Sequence, residues 1–385
     1  MHWLKLIKFE MEKKRIGIMS CNIYCNFTNY GSALQTYAMQ KVINNMDNNA
    51  YEAVVMDYCP KTMLDKDILN PFKHMWDKDP VARKMCELTL PAIRINNDKF
   101  NRFYSDRFNL SSQKYTSKNF QECVSKEKLD GFVVGSDTVF CLEEFDLDDG
   151  YFANYPEMKN KTVSYAASFG DSHFTDESFG RLDSLLGNFK ALGIRENNFI
   201  DYVKSKVSVP VERTIDPTLL LDASDYDEIT ATRIYAEPYV LMYARRYNKS
   251  MEDYTRKIAQ QNGWKIVEIS LRATNAELGH EVRYDAGVEE FLSLVKNAEM
   301  LVTNSFHGMI FAVQYCTPFV AFSRDQCDNK IEELLDLFGI DDRLFITGSE
   351  PDPAEIDFAG VHDRIMKART RSLDFFKKEL EICFS

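Results

Sequence analysis

The chain lacks an excess of positive charge: 47 Lys and Arg face 59 Asp and Glu, for a formal net charge of −12. That balance argues against nucleic acid as a partner, because no surplus of cations faces the phosphates. A small anionic ligand would need arginines concentrated locally. Paired-cysteine motifs are missing as well. The nine cysteines are odd in number and form no CxxC pair, and Cys21 and Cys25 make a lone CxxxC without a second half. This excludes a disulfide framework and a standard zinc site, and predicts free thiols in a reducing cytoplasm. No run approaches the roughly 18–20 apolar residues of a membrane helix, so any membrane contact is expected to be peripheral. Charges interrupt the apolar residues of the first fifteen positions and no cleavage site follows them, so this stretch is not expected to be a signal peptide. A GxGxxG fingerprint is absent too.

What is present is a chain of 385 residues, too long for one ordinary core, with a 45% apolar fraction normal for a globular protein. Short apolar runs alternate with helical patterns. Strands are expected over 15–20, 53–58, 130–135, 162–168 and 191–194, then over 239–244, 264–270, 300–303, 319–322 and 344–347. Residues 61–128 are charged with scattered aromatics, and predict helices and long loops that could form part of an acceptor cleft. Pro210, Pro217 and the polar stretch to Pro238 read as the crossing between two α/β halves. The expected domains are 1–212 and 213–360, with a helix over 361–385 returning to the first of them. Lys367, Arg369, Arg371, Lys377 and Lys378 give that helix a basic character, read as an ordinary solvated face or a contact for an anionic membrane surface.

In open α/β sheets, ligands sit at the carboxyl ends of strands, so the residues that follow strands are the candidates. Residues 298–323 read strand, turn, helix, strand. Asn304 and Ser305 can cap the helix, and Phe306, His307 and Gly308 fall in its first turn. A helix start there offers N–H groups and a positive dipole end to an anion beside one histidine. Histidine is the side-chain type whose ordinary pKa lies near neutral, and His307 is the candidate general acid. In the first half, Asn29, Gly31 and Ser32 form a strand–loop–helix ligand loop, and Ser136 and Asp137 end the VVGSD segment. Asp137 is the candidate base for a hydroxyl. Arg195, at a strand end, suits a carboxylate or phosphate through two parallel hydrogen bonds, or an internal pair with Glu196. Arg245 and Arg246 end another strand. His2, His74, His173 and His362 lack such context, and the loop 271–286 holds His280. No carboxylate cluster suggests a required metal.

The segments TNYGSALQTYA, VVGSD, SYAASFG, GIRE, TIDPTLLL and NSFHG, in this order, resemble the polysaccharide pyruvyl transferase family over about residues 16–340. The resemblance implies a glycosyltransferase-B-like fold, two Rossmann-like domains facing a cleft. It implies transfer of the enolpyruvyl group of phosphoenolpyruvate onto two hydroxyls of a sugar in a bacterial surface polysaccharide or its lipid-linked precursor, at the inner face of the cytoplasmic membrane. The products are a pyruvate ketal and phosphate; no cofactor is implied, phosphoenolpyruvate being the donor substrate. The family's C-terminal Arg-Leu-His-Gly motif falls on Ser305, Phe306, His307 and Gly308, so its arginine is missing, and Arg245, Arg246, Arg272 or Arg283 would supply the charge. Its early Asn-x-Gly-Asp signature reads Asn29-Tyr30-Gly31-Ser32, without the acid. Rival readings are a nucleotide-sugar-dependent glycosyltransferase on the same architecture and a non-catalytic sugar- or anion-binding protein.

Overall fold

The computed structural model describes residues 13–20, 23–24, 28–69, 80–170, 172–323, 328–346 and 356–384. Cys21, Cys25, His2 and His74 lie outside these residues. The strands form two parallel sheets. The first contains β1 (Lys14–Met19), β2 (Tyr51–Val55), β3 (Gly131–Val134), β4 (Thr162–Ala167), β5 (Ala191–Ile194) and β6 (Val211–Arg213), in the order β2-β1-β3-β4-β5-β6. The second contains β7 (Tyr239–Tyr243), β8 (Lys265–Ile269), β9 (Glu281–Val282), β10 (Met300–Thr303) and β11 (Phe319–Ala321), in the order β11-β10-β7-β8-β9. Central strands such as β3, β7 and β10 are buried at every residue. This is why they read as continuous apolar runs instead of alternating ones.

Strand order locates the functional ends. The first sheet reverses direction of growth between β1 and β3, and the second between β7 and β10. At such switch points the loops leaving adjacent strands part, and a crevice opens between them. The loops concerned carry Asn29–Ser32, Ser136–Asp137, Arg245–Arg246 and Asn304–His307.

Six helices matter for the site: α1 (Tyr30–Asn45), α2 (Pro80–Arg107), α3 (Val288–Lys296), α4 (Phe306–Gln314), α5 (Asp328–Phe338) and α6 (Phe358–Phe384). The spacing of apolar residues in α1 predicts one buried face, but thirteen of its sixteen residues are buried. The reason is that α1 lies between the halves. Tyr30 stacks on Phe291 of α3 with centroids 4.5 Å apart, and its hydroxyl donates to the Ala286 carbonyl at 2.8 Å. Helix α2, in the region expected to hold helices and loops, also spans the halves. Thr89 Oγ1 donates to the Leu271 carbonyl at 2.8 Å, and Lys99 pairs with Glu290 at 2.6 Å.

Three expectations need correction. β6 was read as the start of the domain crossing; its three residues after Pro210 are too few to show a pattern, yet it closes the edge of the first sheet. β9, two residues long, lies in what reads as a loop. In the segment expected as a strand over 344–347, the described residues form isolated bridges at Leu344, which pairs with Ala321, and at Ile346, and no continuous strand. Helix α6 packs on β4 and β5, where Phe376 meets Tyr165 at a centroid distance of 4.5 Å. Arg369 is not on a solvated face. It is buried and donates to the Leu219 and Leu221 carbonyls at 2.7 and 2.8 Å. Lys377 pairs with Asp47 at 2.5 Å.

Under α6, Glu379 is fully buried, and neither carboxyl oxygen has a hydrogen-bond partner among the described residues. Burial pushes its pKa well above the ordinary value. An acid raised on folding binds its proton more tightly in the native state, so it costs stability progressively as pH rises above its unfolded value of about 4.3. We expect Glu379→Gln to raise the unfolding temperature at pH 8 and to leave it nearly unchanged at pH 4. An equal gain at both pH values would rule out ionisation as the cause.

Candidate active site

At the end of β5, Arg195 is buried among three carboxylates. Its guanidinium lies 3.0 Å from Asp216 Oδ2, 3.4 Å from Glu196 Oε1 and 4.0 Å from Asp137 Oδ1. The carboxylates come from the segments leaving β6, β5 and β3. Burial alone would lower the arginine's pKa, but Glu196, Asp216 and Asp137 outweigh it and hold the group charged. Burial would likewise raise the pKa of Asp216. The charges of His307 and Arg195, with the hydrogen bond from Thr218, outweigh that and hold Asp216 well below the carboxylate range. Asp137 is lowered against the same burial penalty by His307, Arg195, Ser32 and Lys330. Its backbone φ is 72°, a left-handed conformation that Asp tolerates better than most residues.

The second half supplies His307. Ser305 caps α4 by accepting from the Gly308 N–H, and this sets the first turn. His307 Nε2 then lies 3.3 Å from Asp216 Oδ2, in ion-pair range though not aligned as a full hydrogen bond. Its Nδ1 side rests on Gly31 of α1, where an added Cβ would come within 2.0 Å. Gly31 therefore permits close approach of the two halves. The guanidinium carbon of Arg195 lies over the ring of Phe306, at the position of the motif's leucine, 4.7 Å from its centroid.

Both departures from the motifs have a local explanation. Ser32, in place of an acid, donates from Oγ to Asp137 Oδ2 at 2.5 Å. Ser305, in place of an arginine, is the helix cap. Among the arginines expected to replace that charge, Arg245 is half-buried and influences Glu144 and Tyr284. Arg246 is exposed, Arg272 lies over the Tyr247 ring at 3.7 Å, and Arg283 pairs with Asp285 at 2.8 Å.

Other predicted residues bond to neighbouring backbone. Asn29 Oδ1 accepts from the Gly31 and Ser32 N–H groups at 3.0 and 3.3 Å. Asn304 accepts from the Arg245 N–H and donates to the Arg246 carbonyl, both at 2.8 Å, fixing the loop after β7. Ser136 Oγ donates to the Ala166 carbonyl at 2.8 Å. His280, buried elsewhere, sits 2.6 Å from Glu268.

Sequence reasoning missed three groups. Asp216 was visible only as part of the TIDPTLLL segment. Lys330, a buried lysine in the first turn of α5, belongs to no motif; its charge acts on Asp137 and Glu144. Glu144 is half-buried and accepts from Thr138 Oγ1 at 3.0 Å. Burial, then Asp137, pushes its pKa up against the pull of Thr138, Lys330 and Arg245. Two neighbouring carboxyls shifted in opposite directions suit acid–base work. A small cleft lined by Arg195, Asp216, Phe306 and Lys330 opens beside this cluster. Among the described residues, no three His, Cys, Asp or Glu side chains gather as metal ligands do, and no helix is long and apolar enough to cross a membrane.

A family model described as polysaccharide pyruvyl transferase matches residues 29–326. None of the curated proteins matches the sequence. Among solved structures, a UDP-N-acetylglucosamine 2-epimerase superposes with a TM-score of 0.51 at 10% identity, over 95% of this chain and 96% of its own. A protein of Listeria monocytogenes described as a UDP-N-acetylglucosamine 2-epimerase superposes with a TM-score of 0.50 at 12% identity, over 97% of this chain and 91% of its own. These likenesses establish a glycosyltransferase-B-like fold.

Asp216→Asn would leave Arg195 and His307 facing a neutral partner, and breaking such a buried pair costs about 3–5 kcal/mol. A depressed carboxylate stabilises fully above its unfolded pKa of about 3.9, and that stability is lost as pH falls through the folded value. Urea unfolding should show the full difference between variant and wild type at pH 7, shrinking below pH 4. Gly31→Ala should destabilise by about 1–3 kcal/mol through overpacking against His307, while Gly263→Ala, which meets no neighbouring atom, should cost about 1–2 kcal/mol from its left-handed φ of 68° and nothing from packing.

Proposed function

The chain belongs to the polysaccharide pyruvyl transferase family, and from that membership we propose that it transfers the enolpyruvyl group of phosphoenolpyruvate onto two hydroxyls of a sugar, forming a pyruvate ketal and releasing phosphate. The acceptor is a unit of a bacterial surface polysaccharide or its lipid-linked precursor. The observation that carries the reading is the convergence of Arg195, Lys330 and Arg245 with His307, Asp137 and Glu144 where the two switch points meet.

The donor bears a phosphate and a carboxylate, so it needs cations held in low dielectric, where their attraction is strongest. Arg195 and Lys330 line the small cleft and Arg245 approaches from the second half. A proton added to the donor's methylene carbon leaves the neighbouring carbon cationic. One sugar hydroxyl attacks that carbon and gives up its proton to Asp137. The carbon–oxygen bond to phosphate then breaks, and a second hydroxyl closes the ketal as phosphate takes the remaining proton. In balance, two carbon–oxygen bonds form and one breaks. His307 is the proposed proton donor; Glu144, its pKa raised, is the second group able to hold that proton.

The test is phosphate release from phosphoenolpyruvate across a panel of glycosides, with mass spectrometry of the products. Sugar-dependent release with a gain equal to a pyruvate ketal supports the proposal. Release of a nucleoside diphosphate from a nucleotide-sugar instead would replace it with a glycosyltransferase. For His307→Gln we expect turnover to fall by at least about a hundredfold, the low end of general acid catalysis, with the unfolding midpoint within about 1 kcal/mol of wild type by urea titration. Joint loss of fold and turnover would assign His307 to structure.

A further inference from the structure

Beside the cleft of Arg195 lies a second, more open groove between the end of β6, α5 and α6. Among the described residues it is lined by Arg213, Arg364, Lys367, Arg371, Leu337 and a single acid, Asp336. Four cations around one carboxylate is a local inversion of a chain whose net charge is −12. Arg213 is engaged, donating to Glu333 at 3.1 Å. Arg364, Lys367 and Arg371 have no ion-pair partner among the described residues. They are exposed, in contrast to Arg369 on the same helix, which is buried against carbonyls.

Their spacing puts them on one face of α6, at steps of three and four residues. Seven residues of helix span about 10 Å, too long a row for one phosphate and well suited to two linked ones. Arg364 is held down over Gly339, where an added Cβ would come within 2.6 Å of its guanidinium. The groove is concave, which favours a discrete anion over a flat lipid surface. Arg213 and Leu337 line both this groove and the cleft of Arg195 and Phe306, so an anion seated here is adjacent to the reacting centre.

We infer that this groove is a subsite for a diphosphate group carried by the sugar acceptor. The anion site stands on the groove alone; its attachment to the acceptor rests on the transferase reading. Guanidinium forks match phosphate oxygens in pairs, while Lys367 adds a point charge. Holding that end of the acceptor would position its hydroxyls at the neighbouring cleft.

The probe is inorganic pyrophosphate, titrated calorimetrically into the full chain at low salt with excess phosphoenolpyruvate present to occupy the cleft. We expect wild type to bind, and the triple variant R364Q/K367Q/R371Q to bind at least about tenfold more weakly, with its unfolding temperature unchanged. Lys367→Gln alone should weaken binding about threefold and serves if the triple variant is poorly folded. Raising salt should weaken wild type toward the variant. No binding, or equal binding by both, overturns the inference. A parallel sedimentation with phosphatidylcholine vesicles, with and without phosphatidylglycerol, separates the sources. Charge-dependent vesicle binding lost in the variant, with no difference in pyrophosphate binding, would replace the subsite with a membrane contact. Failure of phosphate release from phosphoenolpyruvate would count against the transferase and leave the pyrophosphate result readable.

Discussion

A guanidinium taken out of water must be paired, and much of this molecule is arranged around that requirement at Arg195. Its partners, Asp137, Glu196 and Asp216, leave three strands of the first sheet. Asp216 then meets His307 from the second sheet. Removing Asp216 takes away the carboxylate that Arg195 and His307 share, and a pair broken in low dielectric is far more costly than a lost surface pair. The same constraint that closes the two halves also places a fixed positive charge, a histidine and carboxylates at one point. At Arg195 and Asp216, structure and chemistry are therefore coupled, and a change in either reaches the other.

Close packing between the halves makes that alignment possible. Tyr30 buries its ring between Phe291, Tyr243 and Phe100 and satisfies its hydroxyl on Ala286. The next residue, Gly31, has no side chain, and the imidazole of His307 occupies that space. Adjacent residues thus perform opposite tasks, one filling the interface and one keeping it thin. The departures from the family's motifs fit the same frame: Ser32 donates to the carboxylate of Asp137 where the motif has a second acid, and the Phe306 ring lies beneath the guanidinium of Arg195.

Helix α6 divides its charges by depth. Arg369 reaches inward to the carbonyls of Leu219 and Leu221 and so braces the segment that carries Asp216. Arg364, Lys367 and Arg371 point to the groove beside the cleft. A basic helix face thus contains both a structural clamp and an anion-facing row, a distinction of helical phase that composition does not show.

The sequence by itself determined the strand–helix alternation, the two halves, and the motif positions at strand ends, because burial on both faces and capping chemistry leave local marks. β10 and the cap at Ser305 are legible in that way, as are His307, Asp137 and Arg195. Short edge strands such as β6 and β9 are not, since two or three residues form no period. Only the tertiary structure decided that Asp216 joins His307 to Arg195, that Lys330 enters the cleft, that Asn304 and Ser136 bond to neighbouring backbone, and that Gly31 lies against His307. These depend on which strand ends lie side by side, and strand order is set by long-range packing that no local pattern encodes.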